Sequence, residues 1–324
     1  MRSFTDFILL TRPANLVIIA LTMYAMRFCI VRPMLTGQPH VNFDLQLSEG
    51  TFFASVMCFV LLAAAGNIIN DYFDVRVDRI NKPRKVIVGK TVKRRVAIAA
   101  HHVFNVLAVL LGLFVSWKSG VLILGIIPVF MAGSLWYYSL SLKKQVLLGN
   151  FVVALMVGLV PIWAGVFELL YLSGTYGGAV DGLTELVFAI WRWLLAFAIF
   201  AFVLTLAREV QKDIQDLHGD SEVGFRTFPR VYGITVAKVF TIVLLSAVIA
   251  GVIWAAFGKI KIHEKSLSIA GFLVLTVIVP LLYSSIKTWI GKNPKDFGLS
   301  SLGTKVAMGG GILFCGVIYV LLSS

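Results

Sequence analysis

Charge is what this sequence has least of. Only 14% of its 324 residues are Asp, Glu, Lys or Arg, where a soluble domain carries roughly a quarter. Hydrophobic residues make up 59%, and the mean hydropathy is +0.90. A wetted surface cannot be built from that composition, which excludes a water-soluble globular protein and leaves the bilayer as solvent. Acids are scarcer still, 16 against 29 Lys and Arg, for a formal net charge of +13. With no aromatic-basic recognition module in the chain, that excess reads as basic membrane loops and excludes nucleic acid as a partner. Cysteine is nearly absent: Cys29, Cys58 and Cys315 stand far apart in apolar runs, which excludes a disulfide framework and a zinc site. The five histidines provide no Ser-His-Asp or Cys-His arrangement for a covalent intermediate. His101-His102 reads as a structural pair at a span's end. The first apolar stretch is broken by Arg12-Pro13 and lacks an A-x-A-like exit, so no cleavable signal peptide is expected.

What is present is a series of apolar runs, each near the ~20 residues that a helix needs to cross a bilayer. They centre on residues 14–31, 51–70, 96–116, 120–138, 147–170, 186–207, 235–256, 267–286 and 303–322. Nine spans put the termini on opposite sides. Most of the Lys and Arg fall at the N-terminus and in 71–95, 139–146, 208–234 and 287–302, whereas the other side keeps Arg27, Arg32, Lys118, Arg192, Lys259, Lys261 and Lys265. The positive-inside rule then puts the N-terminus in the cytoplasm and the C-terminus outside, in a cell inner or plasma membrane. The gaps are too short for a soluble core, so residues 1–324 are expected to form a single integral membrane domain.

The few acids are not scattered. Between Gly66 and Arg79, at about 100° per residue, Asn67, Asn70, Asp71, Asp74 and Asp78 fall within one third of a helix circumference. Between Arg208 and Asp220, Glu209, Asp213, Asp216 and Asp220 share a narrower face. Carboxylates stacked at i, i+3 and i+4 repel, and near a membrane their burial costs more. Such rows call for a cation. Magnesium takes oxygen ligands and commonly bridges carboxylates to substrate phosphates, so two rows on the cytoplasmic side could share a diphosphate. Basic neighbours complete an anion site: Lys82, Arg84 and Lys85 after the first row, Lys143 after the fourth span, and Arg226 after the second row. Lys90, Lys93, Arg94, Arg95 and Lys144 read as positive-inside anchors.

Asn70-Asp71-x-x-Asp74-x-x-x-Asp78, followed by Arg79-Ile80-Asn81-Lys82-Pro83, resembles the first aspartate motif of the UbiA superfamily of intramembrane prenyltransferases. Arg208-Glu209-x-x-Lys212-Asp213-x-x-Asp216-x-x-Gly219-Asp220, with Gly224-x-Arg226-Thr227-x-Pro229 and Gly233, resembles its second. Tyr138-Ser139-x-x-Leu142-Lys143 with Gly149-Asn150, and Arg12-Pro13-x-Asn15, are similar to further pieces. Asn81-Lys82-Pro83 and the form of the second motif look most like the geranylgeranylglyceryl phosphate geranylgeranyltransferase branch. The resemblance implies an all-α polytopic fold, about nine transmembrane helices surrounding a central cavity. It implies an allylic polyprenyl diphosphate as donor, a lipid or aromatic acceptor, membrane lipids as surroundings, and Mg2+ as cofactor. Onto this sequence it carries Asp71, Asp74, Asp78, Asp213, Asp216 and Asp220 as metal ligands. Asn70, Asp74, Asp78, Asp216 and Asp220 become catalytic. Lys82, Arg84, Lys143 and Arg226 become diphosphate ligands, and Asn15, Asn67 and Tyr138 line the substrate pocket. One departure stands out: where the family often has Arg-Pro-(Leu/Ile)-x-Ser-Gly, this chain has Lys85-Val86-Ile87-Val88-Gly89-Lys90, so a proline does not set the loop.

Other classes fit less well. An ion-coupled transporter places its acids near the bilayer midplane in broken helices, whereas these rows sit at span ends beside basic loops. A lipid-binding scaffold gives six same-face aspartates no task. A phosphatidyl-alcohol transferase carries a single Asp-rich motif of different spacing.

Overall fold

The computed structural model describes residues 2–37, 43–84, 86–177, 180, 182–258 and 266–322. Lys85, Lys259, Lys261 and Lys265, all loop charges by sequence, lie outside the described residues. Among the described residues, nine helices are long and apolar enough to cross a membrane. They are α1 (Pro13–Thr36), α2 (Glu49–Asn81), α3 (Arg94–Lys118), α4 (Leu122–Leu140), α5 (Leu148–Tyr176), α6 (Leu183–Glu222), α7 (Ile234–Ala256), α8 (Ser268–Ile290) and α9 (Pro294–Leu322). Each expected span corresponds to one of them. The regularity follows from the solvent: hydrocarbon offers no hydrogen bonds, so a spanning backbone must satisfy itself.

The longest helices overrun the hydrocarbon. α2 has 33 residues and α6 has 40, roughly 50 and 60 Å at 1.5 Å per residue. The surplus of each is its acidic segment, which continues the helix to Asn81 and to Glu222. Both rows are therefore helical throughout, and the face-sharing read from 100° per residue is real geometry. α1 passes through a π-helical stretch, Met26–Val31, and α8 through another, Val274–Ile278.

The chain forms two compact units. The first comprises Met1–Leu142, Leu159–Ala196 and Tyr319–Ser324, and the second Lys143–Gly158 and Phe197–Ile318. α5, α6 and α9 each have residues in both.

In the first unit α2 is the buried axis, with Leu62, Ala65, Ile68 and Ile69 at most 1% exposed. α3 packs on it through His101, whose Nδ1 lies 3.0 Å from the Ala65 carbonyl oxygen. α4 comes so close to α3 that a Cβ on Gly112 would lie 2.3 Å from the Pro128 ring. Beyond Asn81 the chain folds back, and Val88 and Val92 are buried against Leu10, Ile68 and Val75. Gly89 makes the turn at φ 80°, its N–H donating to the Val92 carbonyl at 2.8 Å. Apolar anchors and one left-handed glycine thus give this loop the shape that the sequence denied to a proline.

At the other end of α2, Arg27 is fully buried. Its Nη1 donates to Glu168 Oε1 at 2.6 Å and its Nη2 to the Leu47 carbonyl at 2.5 Å, and its guanidinium lies 4.3 Å from the Phe52 ring centroid. Glu168 also accepts the Gln46 N–H at 2.6 Å and the Leu47 N–H at 3.2 Å. The charge pattern groups Arg27 with the loop residues; folding makes it half of an internal ion pair instead.

In the second unit α8 and α9 approach backbone to backbone. A Cβ on Gly310 would lie 2.2 Å from the Thr276 carbonyl oxygen, the small-residue contact that lets helices pack where lipid offers no hydrophobic drive. Val210, Ile214, Phe228, Ala237 and Phe297 form a core beneath the end of α6.

Candidate active site

In the first unit Asn67, Asn70, Asp71, Asp74 and Asp78 lie half-buried along the last four turns of α2. Arg12 meets this row from outside the helix. It sits between the short helix Arg2–Leu10 and α1 with φ 56°, a left-handed conformation that costs an L residue about 1–2 kcal/mol. From there its Nη2 reaches Asp71 Oδ1 at 2.5 Å. One residue earlier, the Thr11 carbonyl accepts Asn67 Nδ2 at 2.9 Å. Pro13, at the first position of α1, ends the link, so Arg12-Pro13 ties the start of one span to the acidic end of another. Asn15 follows, half-buried.

Lys82 closes α2, its N–H donating to the Asp78 carbonyl at 2.8 Å. Its side chain is half-buried, and that of Arg84 is exposed. Tyr138 is half-buried in the last turn of α4.

In the second unit Asp213 and Asp216 are half-buried on α6 and Asp220 is 7% exposed. Asn150, in the first turn of α5, donates from Nδ2 to Asp213 Oδ2 at 2.8 Å. Glu209 belongs to the same face but is occupied by its neighbours: Lys212 Nζ at 2.5 Å and Arg208 Nη1 at 3.3 Å. The short turn Leu142–Lys144 carries Lys143, half-buried, and the Lys144 carbonyl accepts the Arg226 N–H at 2.9 Å. Lys143 and Arg226, 83 positions apart in sequence, are thereby held in adjoining segments of one unit. The Arg226 side chain is exposed.

The donors fit a hard divalent cation: six aspartate carboxylates and the Asn70 amide, with no sulfur and no imidazole among them. Among the described residues, no group of three His, Cys, Asp or Glu is arranged to hold a metal by itself. Geometry within a row accounts for that. Successive acids are a turn apart, ≈ 5–6 Å between Cβ atoms, so one row offers an ion one or two oxygens and leaves the remaining positions to water or phosphate. Magnesium is habitually bound in that way.

Two moorings, Arg12 and Asn150, are not among the site residues that the sequence singles out. Their only signal is membership in the Arg12-Pro13-x-Asn15 and Gly149-Asn150 pieces.

The fold defines a polytopic all-α membrane protein, and its two oxygen-rich rows carry donors of the kind that suit a hard divalent cation. Residues 17–297 match the UbiA prenyltransferase family. A digeranylgeranylglyceryl phosphate synthase from Methanothermobacter thermautotrophicus is 30% identical over 277 residues, 84% of this chain and 84% of that protein. Among solved structures, a digeranylgeranylglyceryl phosphate synthase superposes with TM-score 0.61 at 20% identity, over 99% of both chains. A UbiA homolog from Archaeoglobus fulgidus bound to GPP and Mg2+ superposes with TM-score 0.52 at 16% identity, over 94% of this chain and 99% of that one. The chain belongs to the UbiA prenyltransferase family. It is an integral membrane enzyme that transfers prenyl groups.

Proposed function

We propose that the enzyme transfers a geranylgeranyl group from geranylgeranyl diphosphate to geranylgeranylglyceryl phosphate and releases diphosphate, with Mg2+ as its cofactor. The observation that carries the donor side is the pair of one-sided carboxylate rows, each ending a long helix and each moored by a partner from another segment. The acceptor rests on the M. thermautotrophicus relative, matched over 84% of its length. Residues 1–324 work as one prenyltransferase domain, with the N-terminus and the active site on the cytoplasmic side and the C-terminus outside; the basic loops support that orientation.

Asp71, Asp74, Asp78, Asp213, Asp216 and Asp220 would hold the metal. When bound, Mg2+ supplies Lewis-acid neutralisation of the charge that builds on the departing diphosphate. The chain's own residues do the rest. Lys82, Arg84, Lys143 and Arg226 offer N–H groups to the diphosphate oxygens as charge accumulates there. Asn70 orients a phosphate oxygen or a neighbouring carboxylate. The C1–O bond of the allylic diphosphate breaks, and its electron pair leaves with the diphosphate. The acceptor hydroxyl oxygen bonds to C1 and its proton passes to the departing diphosphate. Asn15, Asn67 and Tyr138 line the pocket, and the apolar spans take up the prenyl tail and keep water from quenching the cationic carbon.

The test is an acceptor screen. Purified enzyme with radiolabelled geranylgeranyl diphosphate should release diphosphate in the presence of Mg2+ and label geranylgeranylglyceryl phosphate. 4-Hydroxybenzoate and a naphthoate should stay unlabelled. Labelling of an aromatic acceptor in place of the glycerol lipid would move the enzyme to quinone synthesis and overturn the acceptor assignment.

A further inference from the structure

Between Glu209 and Asp213, α6 carries Gln211, which is fully buried. At about 100° per residue Gln211 projects roughly half a turn away from the Asp213-Asp216-Asp220 face. It enters a pocket of hydroxyls supplied by two other helices. Its Nε2 donates to Ser284 Oγ at 2.9 Å and Thr288 Oγ1 at 3.2 Å on α8, and to Ser300 Oγ at 2.8 Å on α9. Its Oε1 accepts Thr304 Oγ1 at 3.1 Å. All four hydroxyl residues are 0% exposed. They are tied to one another as well: Ser284 Oγ donates to the Ser300 carbonyl and Thr288 Oγ1 to the Ser284 carbonyl, at 2.9 and 2.8 Å. One turn further along this rear face, Gly298 of α9 leaves room for Gln215, whose amide a Cβ at 298 would meet at 3.3 Å.

A primary amide in an apolar interior is costly unless its donors and acceptor are all met. Here they are met at a single setting. Rotating α6 by one residue would swing the amide about 100° out of the hydroxyl pocket. A buried neutral polar group of this kind fixes register better than it adds stability.

We propose that Gln211 is a positioning residue: the Gln211–Ser284–Thr288–Ser300–Thr304 cluster sets the rotation and height of α6 and so aims Asp213, Asp216 and Asp220 at the metal–diphosphate. This rests on the reading of those aspartates as metal ligands. Partners behind a ligand typically change metal affinity or activity by 10–100-fold, so Gln211→Leu should raise the half-saturating Mg2+ concentration on the order of tenfold while leaving the KM for the acceptor unchanged. Without substrate turnover, the same variant should lose the melting-temperature rise that Mg2+ with inorganic diphosphate gives the parent. Thr304→Val, which removes one hydroxyl at nearly constant shape, should reproduce part of both effects, and Thr304→Ser should restore them. Should Gln211→Leu fail to fold, the Thr304 pair decides. Variants with less folded enzyme, but with parental Mg2+ dependence and parental diphosphate-induced stabilisation, would reduce the cluster to a packing element and overturn the proposal. Asp216→Asn is run alongside. If it kept the parental rate, the fault would lie in the aspartate assignment, whatever Gln211 did.

Discussion

The two acidic rows are chemically alike and are held in place by different means. The row on α2 is moored by a charge, Arg12, whose side chain is 41% exposed against 23% for Asp71. The row on α6 is moored by neutral amides, Asn150 in front and Gln211 behind, the latter fully buried. Each front mooring comes from the start of a neighbouring helix, at or near a non-glycine residue in the left-handed region: Arg12 itself at φ 56°, and Leu147 at φ 57°, three residues before Asn150. Both helix starts thus carry backbone strain where a carboxylate must be met, a placement typical of functional sites. The difference teaches how environment selects the mooring. Where water reaches, an ion pair is cheap to form and weak. Behind α6, where Gln211 and its hydroxyl partners are fully buried, an uncompensated charge would cost several kcal/mol, and a neutral amide among hydroxyls stands there instead.

The comparison predicts that both rows are indispensable however they are held. Asp74→Asn and Asp216→Asn should each reduce turnover on the order of 100-fold or more, as measured by diphosphate release from enzyme that still elutes as folded protein. Near-parental turnover in one of them would mean that the rows do not share the chemistry.

Next in size is an effect on stability alone. Glu168→Ala removes the buried partner of the Arg27 guanidinium and leaves it against the Glu49 carboxylate, which lies 3.3 Å from Nη2 and is 65% exposed, a loss of about 3–5 kcal/mol, read as a lower midpoint of thermal inactivation in detergent. Glu49 of that cluster and Asp74 sit at opposite ends of α2, 25 residues apart, or about 37 Å. The half-saturating Mg2+ concentration should therefore stay parental, which separates a charged pin serving the fold from the moorings that serve the rows. A shifted Mg2+ dependence would erase that separation.

Asn150→Ala should follow, raising the Mg2+ requirement on the order of tenfold, because Asp213 loses a partner where water is scarce. The smallest effect is expected at the exposed mooring. Arg12→Gln removes a partly exposed pair worth about 0.2–1 kcal/mol, so the Mg2+ requirement should change by a few-fold at most. That difference should fade as salt rises from about 0.1 M to 1 M and the Debye length falls from ~10 to ~3 Å, whereas the Asn150→Ala defect should persist. Equal salt sensitivity of the two variants would break the contrast.

Much of this is legible in the residues. Nine apolar runs became nine helices because length and hydropathy alone decide what can cross hydrocarbon. The rows are legible because 100° per residue is fixed by the α-helix, and α2 and α6 are continuous through them. The moorings are not, since Arg12 and Asp71 are 59 positions apart and Asn150 and Asp213 are 63, distances over which periodicity carries no information. Gln211 is hidden for another reason. A glutamine among charged residues at a span's end reads as solvated, and only the four hydroxyls from residues 284–304 make it an interior group.

By itself, then, the sequence determined the solvent, the number of spans and which face of two helices gathers the acids, because these follow from composition and from the local periodicity of one backbone. The tertiary structure alone decided which of the scarce charges would turn inward, as Arg27 and Glu168 did, and which neutral groups would hold the carboxylates in register. Those outcomes depend on the partners that other helices bring within hydrogen-bond distance, and a local pattern cannot encode them.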